Sequence, residues 1–359
     1  MLTITSNDSK KGISSAGITG FNIKIIAAIA MLLDHIAWGL IDPVLGSKDI
    51  VGYDFFFRLS DFALAPALCI LSTAFHLIGR LAFPIFLFLI VEGFCHTKSI
   101  KKYLLRMGIF AIISEIPFDL CIRNSLLTYK GIFRIGYFNN VFFTLSLALI
   151  AIWIISELSK YDISDDESSG SGNIKLNSTL FTVLSCLGPL AFCAASALYS
   201  SALFFSGHSL EEIPFGFVVI CMVIFLVIYC FATRRCHYNK NYARLIRIGF
   251  FAVGVLAFVS YVLGTDYSFI GVIAACAMYL LRGSRTKEYA VGSAVLCYVS
   301  VSEVFAFLAL PLIRRYNGLR GPANLSNTHP GAASKYFFYI FYPLHLIVIW
   351  GIRVLFIRA

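Results

Sequence analysis

The chain has 359 residues, of which 59% are hydrophobic, 15% aromatic and only 13% charged, with a mean hydropathy of +0.83. Soluble domains run at roughly 45–50% apolar and 25% charged, and a water-soluble fold has too little interior to hide such a surplus, so the sequence describes an all-α, polytopic membrane protein and leaves almost no room for a soluble enzyme. The net charge of +10, from 29 Lys plus Arg against 19 Asp plus Glu, sits in short clusters between apolar runs, a pattern of membrane topology and not of a nucleic-acid surface.

Residues 1–20 form a polar tail, and the apolar run after them lacks a small-residue cleavage pattern, so the first helix is expected to be retained. A crossing helix needs about 20 mainly apolar residues. Such segments lie at 23–41, 78–96, 103–122, 138–158, 179–205, 214–233, 246–264, 267–282, 289–311 and 336–357, ten in all, within a single domain over 21–359. The run 62–77 (FALAPALCILSTAFHL) is also apolar enough, but it contains Pro66 and His76 and meets the next segment without a polar loop. Charge bias arbitrates: with the N-terminus inside and 62–77 treated as a re-entrant or interfacial helix, the inner loops hold fourteen Lys and Arg and the outer loops nine. Both termini are then expected in the cytoplasm. The stretches 159–178 (SKYDISDDESSGSGNIKLNS) and 320–335 (RGPANLSNTHPGAASK) read as flexible loops. The ten cysteines fall mostly inside apolar runs with no CxxC pair and read as reduced, small hydrophobes.

Ionisable groups at membrane depth cost roughly 2.5–3.5 kcal/mol each on insertion scales and mark function by default. In the first segment Lys24 and His35 are eleven residues apart; at about 1.5 Å and 100° per residue they share a helix face some 16 Å apart. Asp34 sits beside His35 but faces about 100° away. Next come Arg80, and then Glu92 with His96 at i, i+4, followed by the basic stretch Lys98, Lys101, Lys102 and Arg106. Glu115 and Asp119 are also i, i+4, around the kink-forming Pro117. Two carboxylates on one face fit a polar cavity, a cation site or partners for Arg80. Asn139, Asn140 and Thr144 open the fourth segment, with helix capping the simpler role for Asn139 and for Asp266 further on. Glu303 lies in the ninth segment, and Tyr342 and His345 flank Pro343 in the last.

The ordered blocks LLDHIAW, GRLAFPIFLFLIVEGFCHTKSIKKYLLR, FAIISEIPFDL, NNVFFTL, TDYSFIGV, RRYNGLRG and SKYFFYIFYPLHL resemble the TraX family of integral membrane proteins, known for acetylation of conjugative pilin, over most of the chain. That family is similar to transmembrane acyltransferases of the acyltransferase-3 type, ten-helix proteins whose first helix carries a basic residue, ten intervening residues and a histidine. The resemblance implies that Lys24 helps hold a cytoplasmic acyl-CoA, with acetyl-CoA the expected donor, and that His35 is the catalytic base. Lys98, Lys101 and Lys102 would add surface charge for the polyanionic donor. Asp34 is then an orienter of His35 or a partner of Arg80, and Arg80, Glu92, His96, Glu115, Asp119, Asn140, Tyr342 and His345 are acceptor contacts or cavity lining. The acceptor would be an envelope amine or hydroxyl, such as a pilin N-terminus or a glycan. This chain departs from the family pattern in its longer polar tail, the acidic 159–178 loop, the piece at 62–77 and the extended 320–335 loop, which bear on the acceptor more than on the donor.

Two other classes compete: a secondary transporter or proton-coupled carrier relaying protons through Asp34, Glu92, Glu115 and His35, and an envelope scaffold whose polar residues only join helices. Release of free CoA thiol separates an acyltransferase from both. The seven histidines show no metal-ligand spacing, so no metal is expected, and no nucleic-acid partner.

Overall fold

The computed structural model describes residues 17–45, 65–123, 139–158, 249, 252–261, 263–319, 321 and 332–356. The expected crossings at 179–205 and 214–233, the loop at 159–178 and most of the stretches 1–20 and 320–335 lie outside the described residues. Within the described residues all regular structure is helical, and the strand-like pairings are two isolated bridges, Ile18 with Tyr316 and Asn139 with Thr265. Three described helical runs are long and apolar enough to cross a membrane, Gly20–Leu45, Ala65–Cys95 and Tyr336–Leu355; Val141–Glu157, Ala252–Tyr261 and Ser268–Leu280 are shorter apolar helices. The chain forms two units, one of Met1–Gly93, Ile112–Ile132 and Leu280–Ala359, the other of Phe94–Ala111 and Phe133–Tyr279.

The first unit begins with α1 (Gly20–Ile36), whose N-cap Thr19 accepts a hydrogen bond from the Asn22 N–H. It continues through a π-helical turn, Ala37–Ile41, into the short α2 (Asp42–Leu45). Helix α3 (Ala65–Gly79) runs antiparallel to it, since Ser72 and His76 meet Asp42 while His76 and Gly79 meet Asp34. After a turn at Arg80 and Leu81 the chain continues as α4 (Ala82–Cys95). The described part of the piece at 62–77, expected to be re-entrant or interfacial, is thus within the first half of a 31-residue helical run, Ala65–Cys95. The backbone bonds Arg80 N–H to His76 O and Leu81 N–H to Ile78 O carry the helix across the junction, so Pro66, in the first turn where its missing N–H costs nothing, interrupts nothing.

The last helix of the unit, α11 (Ala332–Phe356), lies parallel to α1. Phe21 and Lys24 meet Phe338, His35 meets Tyr342 and His345, and a side chain at Gly39 would run into Ile349. Its opposite side exposes Phe337, Ile340, Leu344, Ile347 and Val348, a stripe that only lipid or another apolar surface satisfies. Parallel packing puts the start of both helices at one end and the finish of α11 at the other. The expected placement of both termini on one side does not hold for this pair.

The reason lies in the expected ninth crossing, 289–311, which is not one helix. It breaks into α9 (Arg285–Leu296), a 3-10 segment Val301–Ala309 and α10 (Leu310–Arg314). At Ser300 the backbone is extended and its hydroxyl accepts the Ser302 N–H, starting a new helix instead of continuing the old one. Tyr289 Oη then donates to the Ala306 carbonyl across the hairpin, and Arg285 Nη1 donates to the Tyr316 carbonyl at its open end. The chain returns to the end where α1 begins: Ile18 N–H bonds Arg315 O, Asn317 N–H bonds Ile18 O, and Gly20 N–H bonds Leu319 O. Arg314 and Arg315, expected in an outer loop, therefore lie at the end of the unit where α1 begins.

In the second unit, α5 (Ile100–Phe118) supplies its first part, and α6 (Val141–Leu158), α7 (Ala252–Tyr261) and α8 (Ser268–Leu280) pack around Ala151, Val272 and Cys276, with Leu147, Ile155, Val253 and Leu256 against them. Asn139 N–H bonds Gly264 O, Asp266 N–H bonds Asn139 O, and the Thr144 hydroxyl donates to Asp266 O, tying the entry of α6 to that of α8.

Near the open end of the hairpin, Glu288 in the first turn of α9 is 2% exposed. Its burial, with the Glu92 charge added, pushes its carboxyl up to about 8 against the opposing pull of Arg285 and Arg282. The folded state therefore holds this proton more tightly than the unfolded chain. The stability is fully present below the ordinary carboxylate range and is lost as pH rises through about 8. Two outcomes are expected. Detergent-solubilised protein should lose melting temperature between pH 5 and 9, by the equivalent of roughly 2–4 kcal/mol, and Glu288→Gln should flatten that dependence. Topology reporters fused ahead of Gly17 and after Phe356 should report opposite faces of the membrane; the same face for both would overturn the parallel arrangement of α1 and α11.

Candidate functional site

In the first unit, two imidazoles meet where α1 and α11 face each other. His35 Nδ1 is 2.6 Å from His345 Nε2. The ring centroids are 5.0 Å apart with planes 4° from parallel, a separation that the nitrogen–nitrogen distance plus two ring radii accounts for. The rings therefore lie edge to edge in nearly one plane, the geometry of an in-plane N–H···N hydrogen bond. On its other side His345 Nδ1 is 2.8 Å from the Phe341 carbonyl.

The partners assign the protons. A carbonyl only accepts, so His345 Nδ1 carries hydrogen, and the neutral ring then offers its Nε2 lone pair. His35 Nδ1 must donate to it, which places the lone pair of neutral His35 on Nε2. His345 thus fixes the tautomer and ring orientation of His35. The position of His345 one turn after Phe341 follows from helical i, i−4 geometry. Tyr342 meets both rings edge-on, at 6.1 Å from His35 and 5.7 Å from His345, and is itself buried.

Lys24, eleven residues before His35, lies on the same side of α1: its ammonium sits 5.7 Å from the Phe338 ring centroid of α11. One helix interface thus carries a cation at the end where α1 begins and a histidine pair three turns further on.

Asp34 is not at His35. It faces α3, with Oδ1 2.8 Å from His76 Nδ1, and Gly79 leaves it room: a Cβ there would sit 2.5 Å from the Asp34 Cβ. Of the two expected roles, orienter of His35 falls to His345. The other expected partner also lies elsewhere, because Arg80 Nη1 bonds Glu303 Oε1 at 3.1 Å, and Glu303 is fully buried. Glu92 is 3.7 Å from Arg285 Nε. Its expected i, i+4 partner His96 is exposed and lies past the end of α4 at Cys95, so helix geometry no longer aligns the two. Glu115 and Asp119 are both buried, and Asp119 opens a π-helical turn, Asp119–Arg123, whose Leu120 and Cys121 carbonyls accept from Arg353 at 2.8 and 3.0 Å. In the second unit Lys98, Lys101 and Lys102 are exposed around the start of α5, and Asn140 is a structural residue: its amide donates to Ala111 O at 2.8 Å while its oxygen caps the Phe142 N–H.

Sequence reasoning missed the role of His345, and it did not take His76, Asp42, Arg285 or Arg353 as site residues. His76 was visible as an ionisable group in an apolar run, the same signal that singled out His35.

The residues matched by the family model contain the blocks of the sequence. The chain matches the TraX protein family over residues 20–249 and 186–353. It is 30% identical over 136 residues to the "Probable fimbrial assembly protein FimC, serogroup H1" of Dichelobacter nodosus, a stretch covering 38% of this chain and 46% of that protein. The chain thus spans under half the length of that relative in the match. No solved structure matches. With the family match running from the first turn of α1 to near the end of α11, the chain belongs to the TraX family of membrane proteins.

Proposed function

We propose that this protein is a membrane acyltransferase that moves an acetyl group from cytoplasmic acetyl-CoA to an amine or hydroxyl of an envelope acceptor, such as a pilin N-terminus, with His35 as general base. The observation that carries the reading is the hydrogen-bonded chain from His35 through His345 to the Phe341 carbonyl, on the same helix interface as Lys24. The fimbrial relative supports an acceptor of the pilin class.

The residues divide the chemistry as follows. Lys24, at the start of α1, neutralises donor phosphate at the membrane surface. The extended arm of the donor reaches along the interface to His35, about 16 Å away. His35 Nε2 takes the proton from the acceptor nitrogen or oxygen as it attacks the thioester carbonyl; the new C–N or C–O bond forms, the C–S bond breaks, and the proton passes to the departing CoA thiolate. The His35 imidazolium that exists in between is held by the bond from its Nδ1–H to His345 Nε2, and the low-dielectric surroundings strengthen that bond. The topology that fits has α1 entering from the cytoplasm at Gly20, the 289–311 region folded back on the cytoplasmic side, and an odd number of crossings in the bacterial inner membrane.

The test is release of CoA thiol by detergent-purified protein given acetyl-CoA and a peptide with a free N-terminal amine. His35→Ala is expected to lower kcat by roughly 10²–10⁴-fold, the usual worth of a general base, with donor binding retained; full turnover in that variant would remove His35 from the mechanism. His345→Ala should lower kcat less and leave the donor KM unchanged. Lys24→Ala should do the reverse, raising the donor KM by roughly tenfold, the scale of one charge-assisted contact.

A further inference from the structure

Asp34, His76 and Asp42 are used by nothing above. His76 Nδ1 is 2.8 Å from Asp34 Oδ1 and His76 Nε2 is 3.0 Å from Asp42 Oδ2, while Ser72 Oγ donates to Asp42 Oδ1 at 2.5 Å. Trp38 closes on the His76 ring edge-on at 5.4 Å. The two aspartates are eight residues apart, and in a continuous α-helix that spacing turns one about 80° away from the other. The π-helical turn Ala37–Ile41 lies between them. Its i→i+5 bonding takes up one extra residue, so eight steps act like seven, two full turns, and both carboxylates face α3.

We infer that the Asp34–His76–Asp42 group is a clamp across the π-helical turn that fixes the rotation of α1, making His76 a positioning residue for His35. This rests on the reading of His35 as the base. Both ring nitrogens of His76 face carboxylate oxygens, and the ring serves both by carrying hydrogen on both. The clamp therefore holds α1 at Asp34 and α2 at Asp42, on either side of the turn that joins them, and Gly79 brings α3 close enough to reach.

His35 is the next residue after Asp34 and faces the other way, toward α11. At a side-chain radius of about 5–6 Å, a 10° rotation of α1 moves the imidazole by about 1 Å. That is enough to turn a 2.6 Å N–H···N bond into no bond at all. The same residues that look like a second, separate cluster thus set whether His345 can hold the base.

The experiment uses the full chain in detergent or nanodiscs, with spin labels on the exposed positions Ile29 of α1 and Ile340 of α11. In His76→Gln the label-to-label distance distribution should shift or broaden, and kcat should fall roughly 10–100-fold with the acetyl-CoA KM within about twofold, because Lys24 lies three turns away. The midpoint of the kcat–pH profile should move as well, since the base has lost the group that holds it; a purely structural loss lowers the amplitude alone. Asp42→Asn, which keeps an acceptor oxygen, should retain more kcat than Asp42→Ala and serves where His76→Gln does not fold. An unchanged distance distribution, or a lower kcat with an unmoved midpoint, overturns the clamp. A shifted distribution together with full turnover in His35→Ala leaves the clamp standing and overturns the base assignment instead.

Discussion

The site depends on α1 and α11 running side by side in the same direction, near enough for two imidazoles to share one hydrogen. Small residues make this possible. Gly39 stands where a side chain would strike Ile349 and Cys121, one turn past His35. At the other end Phe21 and Lys24 pack on Phe338. Between these points the interface is set by the histidine pair and buried Tyr342. Parallel neighbours also constrain the rest of the chain, which must come back to its starting side before α11 begins. The broken hairpin of α9, the 3-10 segment and α10 does this, and the bridge of Ile18 to Tyr316 seals the return.

Charges in an apolar setting are tolerated only with partners, and the first unit supplies them across helices. His76 serves two carboxylates, Arg80 serves Glu303, and Arg353 takes the carbonyls that the π-helical turn after α5 leaves exposed. Each of these joins segments far apart in sequence. The result is a polar seam through helices whose outer faces remain aliphatic.

Much of this was legible in the sequence, and the boundary has a physical shape. Composition established a helical membrane protein, and helical periodicity placed Lys24 and His35 on one face. What periodicity does not carry is which neighbour that face meets, so His345 read as a cavity residue and Asp34 as its substitute. The 289–311 region failed for a related reason: its apolar content is that of a crossing, but the Ser300 hydroxyl offers the Ser302 N–H a side-chain hydrogen bond that competes with helix. At 62–77 a proline and a histidine looked like breaks. Pro66 falls in a first turn and His76 has two partners, so neither is one. A π-helical turn has no sequence signature of this kind, and the convergence of Asp34 and Asp42 was therefore invisible.

The run from Ala65 to Cys95 has 31 residues, about 46 Å of helix, against a hydrocarbon core of about 30 Å. A rod that long does not stand upright in the bilayer without leaving apolar surface in water; it leans, bends, or draws the lipid up around it. The turn at Arg80 and Leu81 is the natural place for the bend, and it adjoins Gly79 and His76. Membrane thickness therefore bears on the angle of this helix against α1, and lipid chain length becomes a mechanical input to the packing of the helix interface.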